Sequence, residues 1–297
     1  MADTEEDRMA DTELLYEERE DTAYVTLNRP HVRNCLSMKL SDELVASIER
    51  VRQSDTVKFL VLRGSGDTFC AGDDITEMPR WGNPNDVMRR VRYYQNMANQ
   101  LEELDKVTIA AVDGFAVGGG LELTMACDFV IATERAKWGM PEVDVGITPG
   151  WGGTTRMARL IGRRMTKEVN MLGALHPAHR AVALTLWNRV VPDDQLSAEV
   201  DRLLDVLRTK HQQGLRQLKY MINRGVECDL YTAQGFEVLG ASLTFAVNGY
   251  WEIPDADKGA GIQGFASKNE LWQRRRAAAL DFWADGVPAE AVAGRRE

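Results

Sequence analysis

Gly114-Phe-Ala-Val-Gly-Gly-Gly-Leu-Glu-Leu123 decides how this chain folds. The apolar run Thr108-Ile-Ala-Ala-Val112 just before it reads as a buried strand. Leu121, Leu123, Met125 and Ala126 continue it as a helix-like apolar segment. A strand that feeds a helix through a tight turn is the unit of a parallel α/β sheet. Three consecutive glycines let the backbone come close to a neighbour or a ligand, because no Cβ intervenes. Such a turn marks tight packing of helix on sheet as readily as it marks a binding site. Where a ligand is present, the first N–H groups of the helix have no intrahelical partner and can stabilise a developing oxyanion.

Outward from that turn the same alternation continues. Ala23-Tyr-Val-Thr-Leu27 reads as a strand closed by the turn Asn28-Arg29-Pro30. Ser37 is a candidate N-cap for a helix with Leu40, Leu44, Ile48 and Val51 on one face. Phe59-Leu-Val-Leu62 is a buried strand ended by Gly64-Ser-Gly66, and a further helix runs from about Asp86 to Leu104. After about Ser197 the strand signals stop, and Leu203, Leu204, Leu207, Leu215 and Leu218 predict helices. The expected organisation is an acidic tail over 1–13, an α/β core over 14–200 and a helical region over 201–297.

A chain of 297 residues with 44% hydrophobic and 27% charged residues is ordinary for a soluble globular protein. Its net charge of −9 argues against a general nucleic-acid binder, yet leaves an anionic ligand open, since backbone N–H groups can hold a phosphate. Cys35, Cys70, Cys127 and Cys228 form no C-x-x-C pair, so reduced thiols in a cytoplasmic protein are the simplest reading. His176 and His179 could share a helix face, but Pro177 lies between them and no carboxylate accompanies them, so no metal is expected. No apolar run approaches a membrane span. The first residues, Met1-Ala-Asp-Thr-Glu-Glu-Asp, which partly repeat at Met9, resemble neither a secretory signal nor a transit peptide.

Candidate chemistry gathers in three segments. Phe69-Cys-Ala-Gly-Asp-Asp-Ile75 follows the second strand. Glu122 sits among apolar neighbours just inside the glycine-led helix, where burial favours the neutral carboxyl and suits acid/base work near neutral pH. Trp138-Gly-Met-Pro-Glu142-Val-Asp144-Val-Gly-Ile-Thr-Pro149-Gly-Trp-Gly-Gly153 places Glu142 in a loop dense in glycine and proline. Asp144 either joins the site or accepts backbone N–H bonds within the loop; the latter is the expectation. Trp81, Trp138 and Trp151 either shape an acyl pocket or serve as core residues.

The ordered series Asn28-Arg-Pro30 with Asn34, Phe69-Cys-Ala-Gly-Asp-Asp-Ile75, Gly118-Gly-Gly-Leu-Glu122, Ala126-Cys-Asp128, Pro141-Glu-x-x-x-Gly146 and Pro149-Gly-x-Gly-Gly153 resembles the crotonase (enoyl-CoA hydratase/isomerase) superfamily from about residue 14 to 200, and more weakly to about 275. The resemblance implies an α/β spiral of ββα units with a helical C-terminal trimerisation region, assembled as a homotrimer or as a hexamer of two trimers. It implies an acyl-CoA thioester as substrate, with no metal or redox cofactor. By position, the N–H groups of Asp73 and Gly119 form the oxyanion hole, and Glu122 and Glu142 are the catalytic pair. Val32, Arg33, Cys35, Ala71, Asp74, Ile75 and Thr76 hold the CoA moiety, joined by Phe265 and Lys268 from a neighbouring subunit. Retention of both glutamates implies hydration of a 2-enoyl-CoA in fatty acid metabolism. The alternative is an isomerase or C–C bond hydrolase acting on a cyclic or branched acyl-CoA. The segment Leu186-Trp-Asn-Arg-Val-Val191 departs from the family's Gly-Leu-Val.

Overall fold

The computed structural model describes residues 12–78, 82–247, 276–279 and 282. The chain divides into two compact units between Val200 and Asp201.

The first unit opens with an antiparallel pair, β1 (Leu14–Arg19) and β2 (Thr22–Leu27). Helix α1 (Met38–Gln53) follows, capped as its sequence predicts: the Ser37 hydroxyl accepts the Leu40 N–H at 3.0 Å. Its stripe Leu40, Leu44, Ile48 and Val51 is fully buried. Strand β3 (Phe59–Gly64) leads to α2 (Pro84–Glu102), which Asn83 caps and Pro84 starts. Then come β4 (Val107–Val112), β5 (Phe115–Val117), α3 (Gly119–Met125), β6 (Phe129–Thr133) and β7 (Lys137–Gly139). A 3-10 turn over Pro141–Val145 precedes α4 (Thr155–Leu172), which kinks at Gly162, where φ is 77°. The unit closes with β8 (His176–Pro177), α5 (Ala178–Ala183), β9 (Arg189–Val191) and the first residues of α6 (Leu196–Arg208), which runs across the boundary.

Two sheets result. The larger has the order β1-β2-β3-β4-β6-β9 and is parallel from β2 onward; the smaller has the order β5-β7-β8. Isolated parallel bridges, Leu36 to Asp73 and Cys70 to Ala116, extend the smaller sheet's direction into the loops after β2 and β3. Each turn of chain thus supplies one strand to the large sheet, one strand or bridge to the small one, and then a helix. Strands β2 and β4 are buried along their whole length, which is why their sequences read as unbroken apolar runs. The three-residue β5 was not foreseen between the strand at Thr108–Val112 and the helix. His176 and His179 fall in β8 and α5 rather than on one helix, and among the described residues no cluster of His, Cys, Asp or Glu could hold a metal ion.

The second unit is helical among its described residues. Helix α7 (Gln212–Gly225) is capped by the His211 ring, which accepts the Gly214 N–H. Helix α8 (Leu230–Val247) is capped by Asp229, whose carboxylate accepts the N–H groups of Tyr231 and Thr232. The two pack together, with Tyr220 edge-on to Phe236 at 5.8 Å. No described helix is long and apolar enough to cross a membrane.

Candidate active site

The smaller sheet explains how the glycine-rich segments meet. Cys70 bridges Ala116, and the Val117 N–H donates to the Cys70 carbonyl at 3.0 Å. The chain after Cys70 therefore runs beside the chain after Val117. Gly120 lies so near that a Cβ there would stand 2.2 Å from the Cys70 oxygen, so only glycine fits. A Cβ on Gly72 would sit 3.4 Å from the Gly119 nitrogen, which places Asp73 and Gly119 on facing segments. Among the described residues, neither of their N–H groups donates to a backbone carbonyl.

Glu122 is on the first turn of α3 and is 1% exposed. Its Oε1 accepts two backbone N–H groups, from Trp151 at 2.7 Å and Gly153 at 2.6 Å. Burial pushes the carboxyl up; the Gly153 and Trp151 amides pull it back, the Glu142 charge raises it and Arg156 lowers it, leaving it at about 7. That is the range in which a carboxyl group can both give and take a proton at neutral pH.

The loop that holds Glu122 is itself held. Arg156 on α4 donates to the Trp151 carbonyl at 2.5 Å, to Glu102 at 2.7 Å and to Asn99 at 2.6 Å. Gln95 donates to the Gly150 carbonyl at 2.8 Å. The Trp151 ring stacks on Tyr94 at 4.4 Å and lies under Gly119, where a Cβ would meet it at 2.9 Å. Trp151 thus backs the segment that opens α3.

Glu142 approaches from the 3-10 turn. Gly118 has φ 54°, and a Cβ on it would come 3.0 Å from Glu142 Oε1. Oε2 of Glu142 is buried without a hydrogen-bond partner among the described residues, and burial raises its carboxyl above the usual range. Asp73 brings a third carboxyl group. Its Oδ1 is also buried and unpartnered among the described residues, and burial, followed by the charges of Glu122 and Glu142, pushes it well above the ordinary aspartate value.

The segments expected to hold CoA come together as well. The Ala71 N–H donates to Arg33 O, Leu36 N–H to Gly72 O, and Asp74 N–H to Leu36 O, so the loop of Val32, Arg33 and Cys35 lies along Ala71 to Thr76. Asp74 is engaged by Arg29 at 2.9 Å and by Thr76 at 2.6 Å, which fixes this loop. Arg33 adopts φ 54° and places its guanidinium 5.4 Å from the Phe115 ring centre, while Ile75 is 62% exposed. Phe265, Lys268 and Trp81 lie outside the described residues.

One open alternative closes and one expectation changes. Trp138 does not shape a pocket: it is fully buried, donates to the Pro177 carbonyl at 3.1 Å and packs on His176 and Trp187. Asp144 accepts no backbone N–H among the described residues; it is exposed, with its carboxylate against Gly173. Sequence reasoning missed the Asp73 side chain and the Arg156 network. The glycines at 152 and 153 were the available hint of the latter, since they let two amides converge on one oxygen.

A fold of this kind, with paired carboxyl groups beside a glycine-lined backbone notch, defines a class of acyl-thioester enzymes. The profile of the Enoyl-CoA hydratase/isomerase family matches residues 17–271, and the chain belongs to that family. It is 36% identical to a putative enoyl-CoA hydratase/isomerase of Bacillus subtilis, over 88% of this chain and 97% of that one. It is 34% identical to the crotonyl-CoA hydratase of Syntrophomonas wolfei, over 88% of this chain and 98% of that one. The crystal structure of an enoyl-CoA hydratase from Bacillus anthracis superposes with a TM-score of 0.77 at 30% identity, covering 86% of this chain and 97% of that one. The crotonase fold expected from the sequence is the fold observed.

Proposed function

We propose that this chain is an enoyl-CoA hydratase that adds water across the 2,3 double bond of a 2-enoyl-CoA. The observation that carries the reading is the meeting of Glu122 and Glu142 beside Gly118, one near pH 7 in its titration and the other with a buried oxygen that no described donor meets. The thioester oxygen takes the N–H groups of Asp73 and Gly119, which polarise the carbonyl and hold the enolate. The water oxygen bonds to C3 and its proton leaves to one carboxylate. The other carboxyl group returns a proton to C2, so atoms and charge balance.

CoA enters as part of the substrate, along the paired loops at Arg33 and Asp74. Assembly into trimers, alone or as paired trimers, belongs to the same reading. Exposed apolar side chains on α7 and α8, among them Leu218, Leu230, Tyr231 and Leu239, support it. A cytoplasmic location is proposed with it.

The test is loss of enoyl-thioester absorbance with crotonyl-CoA. Glu122→Gln and Glu142→Gln should each lower kcat by about a hundred- to ten-thousand-fold, as positioned acid/base groups do. A fully active Glu122→Gln variant would leave the family intact and point to isomerisation or C–C cleavage instead.

A further inference from the structure

Asp73 enters the mechanism above through its N–H alone, yet its side chain is a carboxyl group near enough to the two glutamates for their charges to act on it. Its Oδ1 and Glu142 Oε2 are both sealed from solvent and both without a hydrogen-bond partner among the described residues. One piece of backbone links them: a Cβ on Gly118 would stand 3.0 Å from Glu142 Oε1 and 3.9 Å from the Cα of Gly72, the residue before Asp73.

The titratable groups that act on Asp73, or on which it acts, are Glu122 from α3, Glu142 from the 3-10 turn, Tyr94 from α2, and the thiols of Cys35 and Cys70. None is a cation. The guanidinium groups of this region are engaged elsewhere: Arg29 with Asp74, Arg156 with Glu102, and Arg33 over Phe115. A carboxylate so placed has one oxygen sealed from water and no cation among these groups to balance it, and two further carboxylates repel it. The surroundings therefore favour the neutral acid. Burial and the glutamate charges act in the same direction, and both favour the protonated form of Asp73.

A neutral acid differs from a carboxylate in having an O–H to donate, and enzymes use carboxylic acids kept neutral by their surroundings as donors. Two buried, unpartnered oxygens, one on a donor and one on an acceptor, suit a hydroxyl between them. Water there accepts from the acid and donates to the carboxylate.

We propose that Asp73 is a third catalytic side chain, a neutral carboxylic acid whose O–H holds the oxygen of the reacting water while Glu142 accepts that water's hydrogen bond. The proposal rests on the hydratase reading. Asp73 transfers no proton, so the balance of hydration is unchanged. In the reverse direction the same O–H steadies the departing oxygen of the 3-hydroxyacyl thioester.

The experiment compares wild type, Asp73→Asn and Asp73→Ala, all of which keep the backbone N–H. Asparagine remains a neutral donor and alanine does not. Asp73→Ala should lose about ten- to a hundred-fold in kcat with crotonyl-CoA, less than a full oxyanion donor is worth, and Asp73→Asn should recover most of that loss. An infrared spectrum taken about one pH unit above the Glu122 midpoint should show a protonated-carboxyl band in wild type that is missing from Asp73→Asn. Equal kcat for Asp73→Ala and wild type, or equal loss in both variants, overturns the proposal. A missing band in wild type overturns it too and leaves the hydratase reading standing. A band present in a wild type that hydrates no enoyl thioester overturns that reading, and the water-holding role with it.

Discussion

Glu122 and Glu142 come within electrostatic reach of each other from two different kinds of backbone. Glu122 belongs to a helix whose seven residues are all buried, and one of its oxygens is fixed by two amides. Glu142 belongs to a short 3-10 turn with no buried residue, in a loop of glycines and prolines, and its Oε2 meets no described donor. Held groups lose little entropy when the substrate arrives, while an unpartnered oxygen is left for the substrate to satisfy. The site thus pairs an acid set by the core with an acid set by a surface loop.

The largest effect should come from separating them at Gly118. Its φ of 54° with ψ −125° is unsuited to any other residue, and a Cβ would press on Glu142 Oε1 at 3.0 Å. Gly118→Ala should lower kcat by roughly a hundred-fold or more, the scale of losing a positioned proton-transfer group. The Glu122 contacts to Trp151 and Gly153 should survive. Kinetics with crotonyl-CoA, read beside the pH midpoint of Glu122, checks both halves.

The second effect appears in stability and isolates the share that Glu122 carries. Its folded value of about 7 lies above its ordinary 4.5. A group raised in this way contributes fully below its unfolded value, and the contribution is lost as pH rises through the folded value. Wild type should lose on the order of 3 kcal/mol between about pH 4.5 and 7, at about 1.4 kcal/mol per unit. Glu122→Gln cannot ionise and should lose that part of the slope, keeping only what the raised Glu142 and Asp73 carboxyls contribute. Denaturant unfolding of both proteins across this range measures it, and parallel curves would refute the assignment.

How much of this contrast was legible in the sequence follows from how local its causes are. The α1 cap and stripe were readable because Ser37, Leu40, Leu44, Ile48 and Val51 lie within one periodic window. Strands β5, β7 and β8 were not, since two or three residues carry no period. Strand β1, Leu-Leu-Tyr-Glu-Glu-Arg, hid behind its charged and largely exposed side chains. Glu122 and Glu142 stood out through the ordered motif series. What holds Glu122 did not, because Arg156 reaches partners 54 and 57 residues earlier in the chain. The Asp73 carboxyl was overlooked for a different reason: a role for its N–H had already accounted for the residue.

Arg156 offers a smaller effect that sharpens the same contrast. It grips the Trp151 carbonyl, and the Trp151 amide in turn grips Glu122. Arg156→Met keeps the stem's packing and removes the grip. We expect about a ten-fold loss in kcat, the low end for supporting hydrogen bonds around a reacting group. The Glu122 midpoint should rise, because a positive charge that lowers it is gone. Unchanged kcat together with an unchanged midpoint would reduce Arg156 to a fold residue.

The smallest effect is expected two residues from the largest chemistry. Asp144 shares the Glu142 turn, but it is exposed and its carboxylate rests against Gly173, where a Cβ would come within 2.7 Å. Asp144→Asn should change kcat by less than about two-fold and stability by no more than about 0.5 kcal/mol, as for a surface substitution. A ten-fold loss would mean that the turn moves Asp144 inward when substrate binds. Glu142 would then be one of two acids delivered by a mobile loop, and the division between a core-set and a loop-set acid would have to be redrawn around the turn as a whole.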